Sequence, residues 1–269
     1  MKKLISLICI CLLIATIAVL TGCESAADNE FETLVIGATA VPHAEILEFI
    51  RTDMLEQGIS LEIREFSDFS LVNPALRDGQ IDVNYFQHAP FLNNFVENTG
   101  APLVSVCQIH IEPMGIYSNN LNDLSEIQPG STVGIQNDAT NQARALLLLE
   151  NVGLITLREG AGVLATVHDI AENPLDLNIL EIDAAMLPRT LNETAISTIN
   201  TNFALQAGLN PMNDALAIEN SDSPYANLIV VREEDLNREA VQILLRTLQT
   251  EMVREFILEN YEGAVVPVF

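Results

Sequence analysis

Two His-x-Glu pairs, His43 with Glu45 and His110 with Glu112, are the first residues whose types and spacing could do chemistry. On a strand, residues two apart share a face, so either pair could chelate a zinc ion. His88 and His168 stand apart, and no His-rich loop or Cys/His spacing completes a ligand set. Histidines beside apolar runs are more often hydrogen-bonded core or pocket residues, so no metal site is expected. Enzyme signatures are missing as well. The chain has no Gly-x-Ser-x-Gly elbow, no His-Glu-x-x-His, no phosphate-cradling Gly-x-x-x-x-Gly-Lys and no Gly-x-Gly-x-x-Gly. With 37 acidic residues, no one pair of carboxylates stands out. The expectation is a binding protein, not an enzyme, working without a cofactor.

What such a protein could bind is indicated by polar and aromatic residues at the ends of apolar segments. Asn84-Tyr85-Phe86-Gln87-His88 follows the apolar residues at Ile81, and Asn200-Thr201-Asn202 ends another such run. Ser223-Pro224-Tyr225-Ala226-Asn227 begins a third. In open α/β sheets, ligands bind outside the carboxyl ends of the strands, where several loops converge. Asn137-Asp138-Ala139-Thr140-Asn141 is rich in helix N-cap formers, and capping alone would explain it. Arg144 then falls on an otherwise apolar segment, Ala143 and Ala145 to Leu149. A guanidinium there needs an anionic partner, either a ligand carboxylate or a nearby Asp or Glu, because a buried unpaired charge is very costly. Aromatic faces, amides and one arginine together suit an amino acid with an apolar side chain.

The elements that must position these residues alternate between strand and helix. Leu34 to Ile36, Leu61 to Phe66 and Ile81 to Phe86 read as strands; Ala44 to Gln57, Leu71 to Arg77 and Pro90 to Asn98 read as helices. Leu103 to Ile111, Met114 to Tyr117, Thr132 to Ile135, Asn178 to Ile182, Ile196 to Ile199 and Tyr225 to Val231 continue the strands. Ala139 to Asn151, Phe203 to Ala207 and most of Glu239 to Tyr261 continue the helices. This alternation predicts an α/β protein whose sheets are largely parallel and covered by helices on both faces. Two comparable blocks suggest two lobes, with crossings near Glu112-Pro113 and Ser223-Pro224. The expected organisation is residues 33–112 plus 224–269 in one lobe and 113–223 in the other.

The amino terminus sets the location. Lys2 and Lys3 precede an apolar run from Leu4 to Leu20, then Leu20-Thr21-Gly22-Cys23, which resembles a bacterial lipobox. Residues 1–22 are expected to be a signal peptide, Cys23 a lipidated terminus, and residues 23–32 an acidic tether outside the cytoplasm. An uncleaved anchor is the alternative, since about seventeen apolar residues could just span a bilayer. Beyond the signal the chain has no lysine; ten arginines face 37 acidic residues, a net charge of −27. That field repels phosphate backbones and excludes nucleic acid as a partner. It repels acidic lipid headgroups too, so acyl chains must supply the hold on the membrane. Adaptation to a saline habitat is one reading of this surface and ordinary acidity the other. Cys107 remains the sole thiol after Cys23, which leaves no internal disulfide and makes it a packing residue.

Several of these segments carry a family resemblance. Ile36 to Glu45, Asn84 to His88, His110 to Gly115, Asn137 to Leu146, Leu187-Pro188-Arg189, Ile199 to Asn202, Ala207 to Pro211 and Ser223 to Asn227 resemble the methionine-binding lipoproteins, substrate-binding subunits of bacterial methionine ABC importers. The likeness runs from about Leu34 to Phe269. It implies a two-lobed periplasmic-binding-protein fold, each lobe a mixed sheet flanked by helices, closing on methionine in the cleft. Carried over by motif, Arg144 pairs with the ligand carboxylate, and Asn202 and Asn227 hold the amino and carboxylate groups. Tyr85, Phe86, His88 and His110 line the side-chain pocket. The implied partners are L-methionine, an importer's permease and ATPase, and the membrane through lipid on Cys23; a monomer is expected. D-methionine, a methionine derivative, another apolar amino acid or a metal carried by the histidines are the alternatives. The family usually has a tyrosine where this chain has Phe203, and often an aspartate near Ala195.

Overall fold

A computed structural model of the chain describes residues 31–220 and 224–269. The expected signal peptide, Cys23, most of the tether and Ser223 lie outside the described residues. Thirteen strands are described: β1 (Glu32–Ala38), β2 (Ile59–Glu65), β3 (Val83–His88), β4 (Leu103–Ile111), β5 (Gly115–Tyr117), β6 (Thr132–Gln136), β7 (Thr156–Leu157), β8 (Ile170–Glu172), β9 (Asn178–Ile182), β10 (Ile196–Ile199), β11 (Ala217–Ile218), β12 (Ala226–Arg232) and β13 (Val266–Pro267). They form a six-stranded sheet in the order β13-β4-β12-β3-β1-β2, a five-stranded sheet in the order β11-β5-β10-β6-β9, and the small pair β7-β8. The chain leaves the first sheet after Ile111, enters the second at Gly115, and returns between Ile218 and Ala226.

Both large sheets are mixed. In the first, β1 pairs in parallel with β2 and β3, as alternating β and α units require, but β12 comes back antiparallel between β3 and β4. In the second, β6 is parallel to β9 and β10, and β5 runs antiparallel to β10 and β11. Alternate residues of β12 fill two different cores: Ile229 and Val231 face Leu34, Ile36, Leu47 and Leu244, while Leu228 and Val230 face Val72, Leu76, Phe86 and Leu92. Period-two geometry in a sheet covered on both sides makes both sets apolar. The second sheet repeats the scheme, with Val133, Ile135 and Leu146 on one face and Tyr117, Leu187, Ile199 and Phe203 on the other.

Helix ends follow local chemistry. Asp68 caps Phe69–Arg77, accepting from the Ser70 amide at 2.8 Å, and Asp138 caps Ala139–Asn151, accepting from Asn141 at 3.0 Å. Ala89–Thr99 starts at His88 and stops at Gly100, whose φ of 66° is the left-handed conformation glycine adopts without strain. Two expected helices are interrupted. Ala44 to Gln57 divides into Glu45–Phe49 and Arg51–Glu56 around Ile50, and the carboxy-terminal helix divides at Gln249, where Thr250 caps a new start.

Candidate functional site

The carboxyl ends of β1, β3, β4, β6 and β10, with the first residues of β12, surround one cavity of about 360 Å³ including its mouth. Its wall draws from both large sheets: His43, Phe86, His88, Glu112 and Asn227 from the first side, Asn141, Arg144, Asn200 and Asn202 from the second. The two sides are joined directly by a bond from His88 Nε2 to Asn141 Oδ1 at 3.2 Å, and by the contact of Arg144 with the Glu112 carbonyl described below. The His88 Nδ1 accepts from the Phe91 amide, so Nε2 carries the proton in that bond.

On the first side, a chain of polar groups converges on Glu112. His110 Nε2 stands 2.7 Å and His43 Nε2 3.3 Å from Glu112 Oε1. The far nitrogen of each ring is held by a hydroxyl, Tyr85 on His110 at 2.5 Å and Thr39 on His43 at 2.7 Å. His43 Nε2 also reaches Asn227 Oδ1 at 3.0 Å. Burial drives the histidines toward the neutral form: His43 falls to about 4, and His88 and His110 to about 3. Burial also pushes the Glu112 carboxyl up, against the pull of His43 and Arg144. A neutral imidazole donating to a carboxylate stabilises that carboxylate without neutralising it.

On the second side, Arg144 projects from the first turns of Ala139–Asn151. Its Nε and Nη2 engage Glu219 at 2.8 and 2.5 Å, and Nη2 also donates to the Glu112 carbonyl at 2.7 Å. The anionic partner that Arg144 requires is therefore the chain's own Glu219. Amide side chains extend the wall: Asn200 Nδ2 donates to Asn141 Oδ1 at 2.9 Å, and Gln136 Nε2 donates to Asn200 Oδ1 at 2.9 Å. Asn202 is 3 % exposed, and its Nδ2 has no hydrogen-bond partner among the described residues. A buried amide donor left open in a cavity wall is aimed at something that accepts.

Phe86, His88, Arg144, Asn202 and Asn227 all stand in the wall. Tyr85 and His110, expected to line the side-chain pocket, do not. Both are 0 % exposed and lie behind the wall, tied to each other and to Glu112. Alternation along β3 turns Tyr85 into the core opposite to the one that Phe86 joins. Phe69, Phe91, Glu112, Asn141 and Asn200 line the cavity although sequence reasoning did not assign them to it. Phe69 and Phe91 sit at helix starts and read as ordinary packing, yet with Phe86 they form one aromatic surface, ring centres 5.7–6.2 Å apart. Cys107 is only partly buried in β4, and desolvation raises its thiol to about 12, well away from nucleophilic range.

His43, His110 and Glu112 offer donor atoms within 4.8 Å of one another, enough to raise the possibility of a metal ligand set. The 2.7 Å between His110 Nε2 and Glu112 Oε1 is a hydrogen-bond distance. Two ligands of one tetrahedral zinc, each about 2.0–2.1 Å from it, stand farther apart than that. The trio fits a shared proton better than a shared ion.

Comparison with known proteins gives a consistent result. A Yersinia pestis protein named D-methionine-binding lipoprotein MetQ is 39% identical over 268 residues, 98% of each chain. The Bacillus subtilis methionine-binding lipoprotein MetQ is 36% identical over 273 residues, covering 100% of this chain and 99% of the relative. Among solved structures, a nutrient binding protein from Burkholderia cenocepacia bound to methionine superposes with a TM-score of 0.86 at 41% identity, over 88% of this chain and 100% of that one. The NlpA lipoprotein profile matches residues 34–269, and with these relatives it places the chain in the NlpA lipoprotein family.

Proposed function

We propose that this protein captures methionine outside the cytoplasm and delivers it to an ABC importer, without transforming it. The observation that carries the reading is the open Nδ2 donor of Asn202, in a wall that also holds one guanidinium and one carboxylate. The ligand carboxylate lies against Arg144 and Asn202, the ammonium against Glu112 and Asn227, and the thioether against Phe69, Phe86 and Phe91. Burying a methionine side chain contributes roughly 1.5–3 kcal/mol, and sulfur–aromatic contacts add about 0.3–1.5 kcal/mol. Hydrogen bonds to the charged ends add about 1.5–3 kcal/mol each. After association costs, a dissociation constant between micromolar and nanomolar follows. The names of the relatives support methionine as ligand; the Yersinia pestis name specifies the D form and the Bacillus subtilis name gives no configuration. L-methionine is our assignment, and D-methionine is the second reading.

In this reading Cys23 carries the lipid that holds the protein to the membrane, and the binding unit works as a monomer with a permease and an ATPase. No helix among the described residues is long and apolar enough to cross a membrane. Residues 33–112 with 224–269 and residues 113–223 act as the two closing lobes. The test is calorimetric titration of L- and D-methionine into the purified protein, unfolded and refolded to strip retained ligand. Saturable one-to-one heat with L-methionine, L-alanine being silent, is the expected result. A folded sample silent to both methionine enantiomers at two temperatures would discard the reading.

A further inference from the structure

Glu219 takes no part in the cavity wall, yet it holds the best-placed cation in it. Its carboxylate grips the Nε–Nη2 edge of Arg144 as a fork, the geometry that fixes a guanidinium plane. The same carboxylate accepts from the Met114 amide at 3.0 Å, and the Glu219 amide donates to the Met114 carbonyl at 2.9 Å. Glu219 itself is thereby locked to the segment that leaves the first sheet. The Tyr225 ring lies 4.3 Å from the guanidinium carbon, and the Glu112 carbonyl takes a further bond from Nη2. Arg144 Nη1 has no partner among the described residues, and Arg144 lines the cavity. Both side chains of the ion pair are almost wholly buried, at 4 and 9 % exposure.

Glu112 from one joining segment, and Glu219 and Tyr225 from the other, therefore meet at one guanidinium, and among the described residues their contacts leave a single nitrogen for a ligand. We infer that Glu219 is a positioning residue for ligand binding: it orients Arg144 so that Nη1, in the wall that also holds Asn202, receives the ligand carboxylate. The inference rests on the functional reading above, that the ligand is an amino acid. It runs against simple electrostatics, since an anion near the site repels a carboxylate, so the direction of the effect is itself diagnostic. A competitor for Arg144 would weaken binding by its presence; a positioning residue strengthens it.

A double-mutant cycle on L-methionine affinity separates the two, using the refolded protein, Glu219→Gln, Arg144→Lys and the pair. Lysine keeps the charge and loses the fork. Glu219→Gln and Arg144→Lys should each weaken binding by about tenfold or more, because a misaimed buried charge is costly. The double variant should lie within about threefold of Arg144→Lys alone, because Glu219 acts only through the guanidinium fork. A purely structural role would instead multiply the two losses. Unchanged or tighter binding in Glu219→Gln, or multiplying losses, overturns the inference. If Glu219→Gln fails to melt cooperatively, Glu219→Asp takes its place in the cycle with the same two outcomes. Should the wild-type protein answer only D-methionine, the cycle is run on that enantiomer; silence to both would refute the functional reading and this inference with it, and wild-type binding with multiplying losses refutes this inference alone.

Discussion

At the scale of single residues, the site is notable for polar groups kept uncharged or unpaired. Asn202 Nδ2 is buried without a partner among the described residues, a cost that an accepting ligand removes. Asn202→Ala should weaken methionine binding by about 1–3 kcal/mol, read by titration, while the melting temperature without ligand stays the same or rises. A clear fall in that melting temperature would mean that the amide serves the fold instead. The histidines give a pH signature. His43, His88 and His110 are held at about 4, 3 and 3 in the folded protein, against 6.5 in the open chain. Their stabilisation is complete above about pH 6.5 and is lost as the pH falls toward the folded values. Each ring removes about 1.4 kcal/mol per pH unit while only the unfolded chain is protonated. Glu112 and Asp138, both raised by burial, work in the opposite sense, favouring the fold at low pH, but two carboxyls do not offset three rings. Melting curves between pH 7 and 4.5 should therefore shift steadily down, and His88→Gln should flatten the dependence.

At the scale of elements, β6 and the helix after it place Arg144 and Asn141, and their packing tolerates little. A Cβ at Gly134 would stand 2.5 Å from Ser197 Oγ and 3.1 Å from Leu187 Cδ2, in a region where Ser197 is fully buried. Gly134→Ala should cost about 1–3 kcal/mol in urea unfolding, whereas Gly162→Ala, with nothing within 4 Å, should be close to neutral. Equal effects would show that the β6–β10 contact is looser than its geometry. This helix was also the most legible element: an N-cap aspartate, an apolar run and the span 139–151 are all local signals, and the structure returns that span. Strand β4 was legible for the same reason. The insertion of β12 between β3 and β4 was not, because strand partners far apart in sequence leave no periodic trace. Nor was the face of Tyr85. All six residues of β3 are buried, so the alternation that separates pocket from core is invisible in its composition. Glu219 was hidden by abundance, since one acid among 37 carries no mark until burial singles it out; Glu112 was marked by its spacing from His110, but as a possible zinc ligand and not as a wall of the cavity.

At the scale of the whole molecule, the two sheets share one polar cavity and one guanidinium, so ligand capture and the joining segments belong to a single network. The outer border of the first sheet has a consequence of another kind. Strand β13 lies along β4, pairing Val266 with Ile111 and Pro267 with His110, and Val268 donates to the Ile109 carbonyl at 3.0 Å. Proline has no amide hydrogen to offer, so the sheet ends on a strand that is short and poor in donors. Ending the chain at Gly263 would strip that guard and leave the nine-residue β4 open to strand addition from a second molecule. Concentration-dependent self-association of the shortened chain, followed by light scattering, is the expected result, and a strictly monodisperse sample would contradict it. The last few residues thus act as protection against aggregation.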